Sequence, residues 1–134
     1  MSTQTIEVNE GRQSSLVLNI ALWLVQIGAA AMFLFAGYHK LSGDPQMIGL
    51  FDAIGIGQWF RYLTGGLEFI GGVLLLIPAF SGVAGLLLTA VMIGAVATHL
   101  FIVGGSPAFA VVLLAASLFV AWGRRERTFA LIGR

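Results

Sequence analysis

Residues 62–77 have the sequence YLTGGLEFIGGVLLLI, an apolar run that is interrupted by one carboxylate, Glu68. The chain contains 134 residues, of which 58% are hydrophobic and 10% are charged. Soluble domains carry about 25% charged residues, so this composition predicts a single integral membrane domain. An ionised carboxylate in hydrocarbon is costly unless it is paired or faces a wet cavity. Glu68 is therefore a candidate functional residue, and the groups that pair with it would define the site.

Four apolar segments are long enough to enter a bilayer, at about residues 16–38, 59–77, 82–103 and 107–122. They exceed the ~10-residue strands of membrane barrels and lack their alternating pattern. Short connections at 78–81 and 104–107 favour antiparallel neighbours. We therefore predict an all-α fold, an antiparallel bundle of four transmembrane helices within residues 15–123.

The connection at 41–58 is longer and contains signals for both the start and the end of a helix. Asp44-Pro45 is a helix start signal, apolar residues then recur at helical spacing, and Gly55 and Gly57 form a stop signal. This pattern predicts a short amphipathic helix in the first extracytoplasmic loop, covering the bundle mouth or lying in the interface plane. An ordinary surface turn is the alternative.

Basic residues predict the orientation. Four spans place both termini on one side, together with five arginines: Arg12, Arg124, Arg125, Arg127 and Arg134. The opposite side has Lys40 and Arg61. We expect both termini to be cytoplasmic, with a polar disordered tail at 1–14 and a basic tail at 124–134.

Composition also excludes several kinds of chemistry. The chain has no cysteine, which removes disulfides, thiolate metal sites, iron–sulfur ligation and covalent haem attachment. Electrons for any redox reaction would have to come from a cofactor, a quinone or a partner. No basic stretch suggests nucleic acid as a partner.

The predicted topology collects the ionisable residues of the spans in the outer half of the membrane. Segment one ends at His39 and Lys40, segment two passes Glu68 about 10 Å below Arg61, and segment three ends near His99. Lys40 and His99 are the predicted partners of Glu68, and these three residues are the candidate catalytic groups. A carboxylate beside a lysine stays ionised.

Three further residues, His39, Arg61 and Thr64, are candidate ligand-binding groups at the same level. Each of the six has a structural alternative. In that interpretation Glu68 and Lys40 only fix the register of the helices, and Arg61 anchors the helix at the lipid headgroups. A haem between His39 and His99 has no motif to support it, and neither has a metal site that adds Glu68. We predict no metal, disfavour haem and leave a quinone open.

Three stretches carry a resemblance to a known family: FAGYHKL at 35–41, YLTGGLEFIGGVLL at 62–75 and MIGAVATHL at 92–100. The chain resembles the DoxX-like membrane proteins over about residues 16–122, and Lys40, Glu68 and His99 fall on that family's polar positions. The resemblance implies a four-helix membrane bundle in a bacterial inner membrane. Some relatives are similar to the membrane subunit of a thiosulfate:quinone oxidoreductase, and others are linked to oxidative-stress complexes.

The leading hypothesis is a membrane subunit of a redox assembly that binds quinone or another small ligand beside Glu68. It would not be a complete enzyme alone, and it would require a soluble oxidoreductase partner. The alternative is a non-enzymatic scaffold or stress-response partner whose polar cluster is structural. A dimeric small-solute or proton carrier is a weaker third reading, because the inner half of the bundle lacks polar stepping stones. A homo-oligomer is compatible with each.

Overall fold

The computed structural model describes the backbone of residues 3–133 and the side chains of residues 15–133. These residues form six α-helices, at Thr3–Ser42 (α1), Pro45–Ile54 (α2), Trp59–Leu75 (α3), Ser81–Thr98 (α4), Ala108–Gly123 (α5) and Arg125–Leu131 (α6). A 3₁₀ turn at Pro78–Phe80 precedes α4, and a π-helical turn at His99–Val103 follows it. The all-α prediction is confirmed.

Two helical stretches are long and apolar enough to cross a membrane, Ser15–Ser42 and Pro78–Val103. A third crossing is added if α5 and α6, which meet at 61°, form one broken span. The protein is thus a multi-pass membrane protein. Helix α3 has 17 residues and α5 has 16, whereas a typical span needs about 20. The four-span bundle therefore stays a prediction.

The helix ends differ from the predicted segments. Helix α1 begins at Thr3, so residues 3–14 are helical where the sequence suggested a disordered tail. It also extends to Ser42, one turn beyond the predicted end of segment one at Tyr38. A helix already propagating through an apolar span gains one hydrogen bond for each residue that it adds, which is why polar flanking residues can continue it. The side chains of residues 1–14, including Arg12, lie outside the described part.

The short helix between the first two segments is confirmed at Pro45–Ile54. Asp44 takes the N-cap position and Pro45 starts the helix, but the Asp44 side chain makes no capping hydrogen bond. Gly55 ends the helix in the left-handed conformation, with φ of 89°, which glycine adopts without steric cost.

The core lies where the long helices meet. Helix α1 packs chiefly on α3, α4 packs chiefly on α5, and contacts of α3 with α4 and of α1 with α5 complete a ring. Phe33, Leu75, Leu88 and Val120 are fully buried in it. Helix α6 folds back onto the beginning of α4, so part of the predicted basic tail is a packed helix. A gap lies between α3 and α4, beneath α2.

Candidate functional site

A cavity of about 450 Å³ fills the gap between α3 and α4, below α2. Its lining is largely apolar, with contributions from Leu50, Phe51 and Ile54 of the covering helix. The polar side chains in the lining come from four different elements: Lys40, Thr64, Glu68, Thr98 and His99. Four of the six predicted site residues therefore share one cavity.

An ion pair forms the polar floor of this cavity. Lys40 Nζ lies 2.8 Å from Glu68 Oε1, and the Glu68 side chain is 3% exposed. The approach is close, but within the described residues no hydrogen bond of regular geometry reaches Oε1. A carboxylate can accept several hydrogen bonds, so a ligand with a hydroxyl donor could bind beside Lys40.

Two glycines bring the helices of this ion pair close together. A Cβ atom on Gly65 would lie 2.7 Å from Lys40 Cβ, and one on Gly37 would lie 2.7 Å from the Gly65 carbonyl oxygen. Real side-chain carbons do not come so near, so only glycine fits at either position. The Gly37–Gly65 contact therefore sets the α1–α3 distance at the level of Lys40, in the manner of small-residue contacts between membrane helices.

His99 reaches the cavity from the π-helical turn that ends α4. Its Nδ1 lies 3.1 Å from the Gly104 carbonyl oxygen, so one ring nitrogen is engaged with the turn. Thr98, beside it, donates to the Gly94 carbonyl oxygen at 2.8 Å. Single π turns inside α-helices occur frequently at functional sites because they redirect side chains. The sequence predicted His99 but gave no sign of this turn.

His39 is outside the cavity lining. Its ring packs edge-on against Phe35, with centroids 4.2 Å apart, and its Nδ1 lies 3.6 Å from Asp44 Oδ2. The His39–Asp44 contact ties the end of α1 to the start of α2. Of the two histidines, the structure thus places only His99 in the lining of the cavity.

Arg61 is also outside the lining, and it is 4% exposed. Its Nε donates to Gln58 Oε1 at 2.6 Å, and its Nη1 donates to the Lys40 carbonyl oxygen. Gln58 in turn donates to the Ile48 carbonyl oxygen at 3.0 Å and to Asp52 Oδ1 at 2.9 Å. This chain of hydrogen bonds, the Arg61–Gln58 clasp, fastens α2 to α1 and α3. The sequence analysis gave Gln58 no role.

Comparison with known proteins identifies the family of this chain. The model of the DoxX-like family matches residues 24–122. The chain belongs to the DoxX-like family. That identification, made from three short stretches of sequence, is confirmed. No curated protein and no solved structure matches the chain. The DoxX-like match covers all of the cavity lining and the Arg61–Gln58 clasp.

A second polar network lies at the other end of α3 in this DoxX-like protein. Gln26, fully buried, donates to the Leu75 carbonyl oxygen at 2.7 Å, and its Oε1 accepts from Arg124 Nε at 2.7 Å. Arg124 Nη1 also donates to Asn19 Oδ1 at 2.9 Å. In the sequence, the feature that could have indicated this network is the pair of amides, Asn19 and Gln26, in an apolar segment. Their partner could not be read, because Arg124 is 98 residues from Gln26.

No group of three or more His, Asp or Glu side chains among the described residues is arranged to hold a metal ion. Glu68, Lys40 and His99 can donate or accept hydrogen bonds in the cavity. An apolar lining around these few polar groups is typical of small-molecule sites.

Proposed function

We propose that this DoxX-like protein is the membrane subunit of a redox assembly and binds a quinone, or a small ligand of similar chemistry, in the cavity. The observation that carries the proposal is the Lys40–Glu68 pair at the floor of an apolar cavity. Buried charges inside a membrane protein are rare and mark ligand or proton sites. A volume of about 450 Å³ lies within the range of small-molecule sites, about 300–1,000 Å³.

Each polar group has a distinct role in this proposal. Lys40 donates a hydrogen bond to a ligand carbonyl and pairs with Glu68. Glu68 accepts a hydrogen bond from a quinol hydroxyl; during reduction it takes up a proton and passes it to a quinone oxygen, once for each of the two protons. His99 exchanges that proton with water, and Thr64 orients the ligand ring. Reduction of a quinone to a quinol takes two electrons and two protons, and a soluble oxidoreductase partner would supply the electrons.

The predicted ligand roles of His39 and Arg61 change in the proposal. Both residues hold α2 in place, His39 through Asp44 and Arg61 through Gln58. They therefore act as positioning residues for the cover of the cavity. Neither is expected to touch the ligand.

We place the protein in a bacterial inner membrane with four crossings and both termini in the cytoplasm. Helix α3 is about 25 Å long at 1.5 Å per residue, so it can cross if flanking residues complete the span. Leu76, Ile77 and the 3₁₀ turn extend it at one end. The clustered arginines at 124, 125 and 127 support a cytoplasmic C-terminus.

Ligand extraction and binding test the proposal. The protein is purified in a mild detergent, extracted with organic solvent and analysed for quinone, and decylubiquinone is titrated against the protein in nanodiscs. Thr64→Val keeps the side-chain shape and the ion pair but removes a hydroxyl from the lining. We expect Thr64→Val and Glu68→Gln each to weaken binding by about tenfold or more, as the loss of ~1.4 kcal/mol implies. Wild-type protein that neither retains nor binds a quinone would contradict the proposal.

A structural scaffold is the second candidate, and the α1–α3 contact favours it. Gly65 and Gly37 place Lys40 against α3 whether or not a ligand is present, so the ion pair could serve to fix helix register. In that case Glu68→Gln lowers thermal stability, whereas Thr64→Val leaves both stability and any bound ligand unchanged. Comparing these two variants distinguishes the two functions.

A further inference from the structure

We propose that the ligand enters and leaves the cavity sideways, from the bilayer, through the seam between α3 and α4. This inference rests on the proposed function and on both helices lying in the membrane. It restricts the ligand to a membrane-dissolved, uncharged molecule with a polar ring-like head and an apolar tail. Four observations carry it: the contact that closes one end of the seam, the lining residues of each helix, and the cover formed by α2.

Helices α3 and α4 touch closely at one level and separate above it. At Gly71, an added Cβ would lie 2.6 Å from Leu88 Cδ2, so the two helices are in direct contact there. The cavity begins beyond this contact and continues toward Phe60 on α3 and His99 after α4. The gap is therefore a wedge that is closed at Leu88 and widens toward α2.

The lining of α3 runs from its buried side to its outer side. Glu68 is buried, whereas Leu63, which lines the same cavity, is 47% exposed. Helical rotation of 100° per residue places these two residues about 140° apart around the axis. One cavity that touches both must extend from the core to the outer surface of the helix.

Helix α4 shows the same arrangement. Met92 is buried, while Ala90 and Gly94 line the cavity and are exposed. They are four residues apart, so they are neighbours on one face of the helix. A Cβ on Gly94 would meet no atom within 4 Å. Small side chains thus leave the edge of the seam open, and in a membrane this edge faces acyl chains.

Helix α2, which covers the cavity, is held in place by several contacts, whereas the α3–α4 seam at its side is not. Phe51 of α2 is 3% exposed and its ring lies 5.8 Å from that of Phe60, between centroids. The Arg61–Gln58 clasp holds the same helix through hydrogen bonds to Ile48 and Asp52. Opening this cover breaks several buried contacts, whereas entry through the seam breaks none of them.

The charge of the cavity selects the head of the ligand. Lys40 and Glu68 together carry no net charge, so the floor offers one donor and one acceptor without attracting an ion. An ionised phosphate would also have to cross hydrocarbon to pass the seam, which is expensive. A neutral quinone or quinol meets both conditions, and a phospholipid headgroup or a water-soluble anion meets neither.

The exchange kinetics of decylubiquinone in nanodiscs test the route. Exchange is measured by quenching of tryptophan fluorescence, because Trp59 neighbours the lining residue Phe60. The seam variants are Gly94→Phe and Ala90→Phe. Gly28→Phe is the matched control, because Gly28 is an exposed glycine of α1 with no atom within 4 Å of an added Cβ. Gln58→Ala releases the clasp on α2. A narrowed entrance slows both association and dissociation, whereas a partly filled cavity slows association but speeds dissociation and so weakens Kd.

We expect the two seam variants to slow association and dissociation by about tenfold each, so that association slows more than Kd weakens, because a narrowed entrance acts on both rates. Gly28→Phe and Gln58→Ala should exchange at the wild-type rate. Wild-type rates in both seam variants, faster exchange in Gln58→Ala, or a Kd that weakens as much as association slows would each overturn lateral entry while leaving the proposed function intact. Absence of binding to the wild type would instead contradict the proposed function itself.

Discussion

Lys40 and Glu68 face each other across the α1–α3 contact, with Nζ 2.8 Å from Oε1. They are 28 positions apart in the chain, and the Gly37–Gly65 contact brings their helices close enough for the pair to form. The Glu68 side chain is buried and that of Lys40 is 15% exposed, so the ammonium group offsets part of the cost of burying the carboxylate. The candidate site depends on this pair first, and then on the cover that closes the cavity.

Removal of one member of the pair should be more costly than removal of both. Glu68→Gln or Lys40→Met leaves a buried charge without its partner, a loss of about 3–5 kcal/mol in comparable buried pairs. The double variant should recover part of that loss. Thermal unfolding in detergent, analysed as a double-mutant cycle, measures the coupling. A coupling energy near zero would show that the two charges do not stabilise each other.

Gly65→Ala should destabilise the protein, whereas Gly66→Ala should not. The new methyl at 65 would overlap Lys40 Cβ and force α1 away from α3, while a methyl at 66 meets no atom within 4 Å. Overpacking of this kind costs about 1–3 kcal/mol. The two adjacent substitutions have identical chemistry, so the difference between their melting temperatures isolates the helix contact. Equal melting temperatures would contradict the proposed close approach.

Arg61→Lys should loosen α2 without unfolding the bundle. Lysine cannot reproduce the two directed hydrogen bonds that Arg61 donates to Gln58 and to the Lys40 carbonyl oxygen. Amide hydrogen exchange in residues 46–54 should become at least severalfold faster, while exchange in α4 stays unchanged. Arg125→Lys is the control, because Arg125 bonds the Trp122 carbonyl oxygen, far from α2 in sequence. Unchanged exchange in α2 would mean that the clasp does not hold the cover.

Gln26→Leu should weaken the network at the opposite end of α3. Substitution leaves the Leu75 carbonyl oxygen and Arg124 Nε without the partners that Gln26 provides, and unsatisfied buried groups cost about 1–3 kcal/mol. Asn19→Leu removes an exposed contact of the same arginine, so its effect should be smaller. Thermal unfolding of the two variants gives the comparison, and an Asn19 effect equal to that of Gln26 would contradict the burial argument.

Local sequence patterns predicted much of the helical structure. Asp44-Pro45 and Gly55 marked the ends of α2 correctly, because caps and turns depend on neighbouring residues. The ends of α1 were predicted less well, since a long helix continues through polar residues that do not stop it. The break at the end of α4 was missed. The sequence HLFIV at 99–103 contains neither proline nor glycine, so the π-helical turn there has no local marker.

Four of the six predicted site residues line the cavity, and His39 and Arg61 do not. Lys40, Glu68 and His99 could be selected because charged and titratable groups are scarce in apolar segments. The exclusion of His39 and Arg61 from the cavity could not be predicted, since adjacent positions on a helix point 100° apart and the rotation of each helix was unknown.

The sequence by itself determined that the chain is helical, belongs in a membrane, and carries one acid inside an apolar segment. Those properties follow from composition and from the order of neighbouring residues. Tertiary structure alone decided that Lys40 meets Glu68, that Gln26 meets Arg124, and that the cavity extends to the α3–α4 seam. Such contacts depend on the distance and rotation between helices, which close packing of glycines and side chains across the bundle fixes.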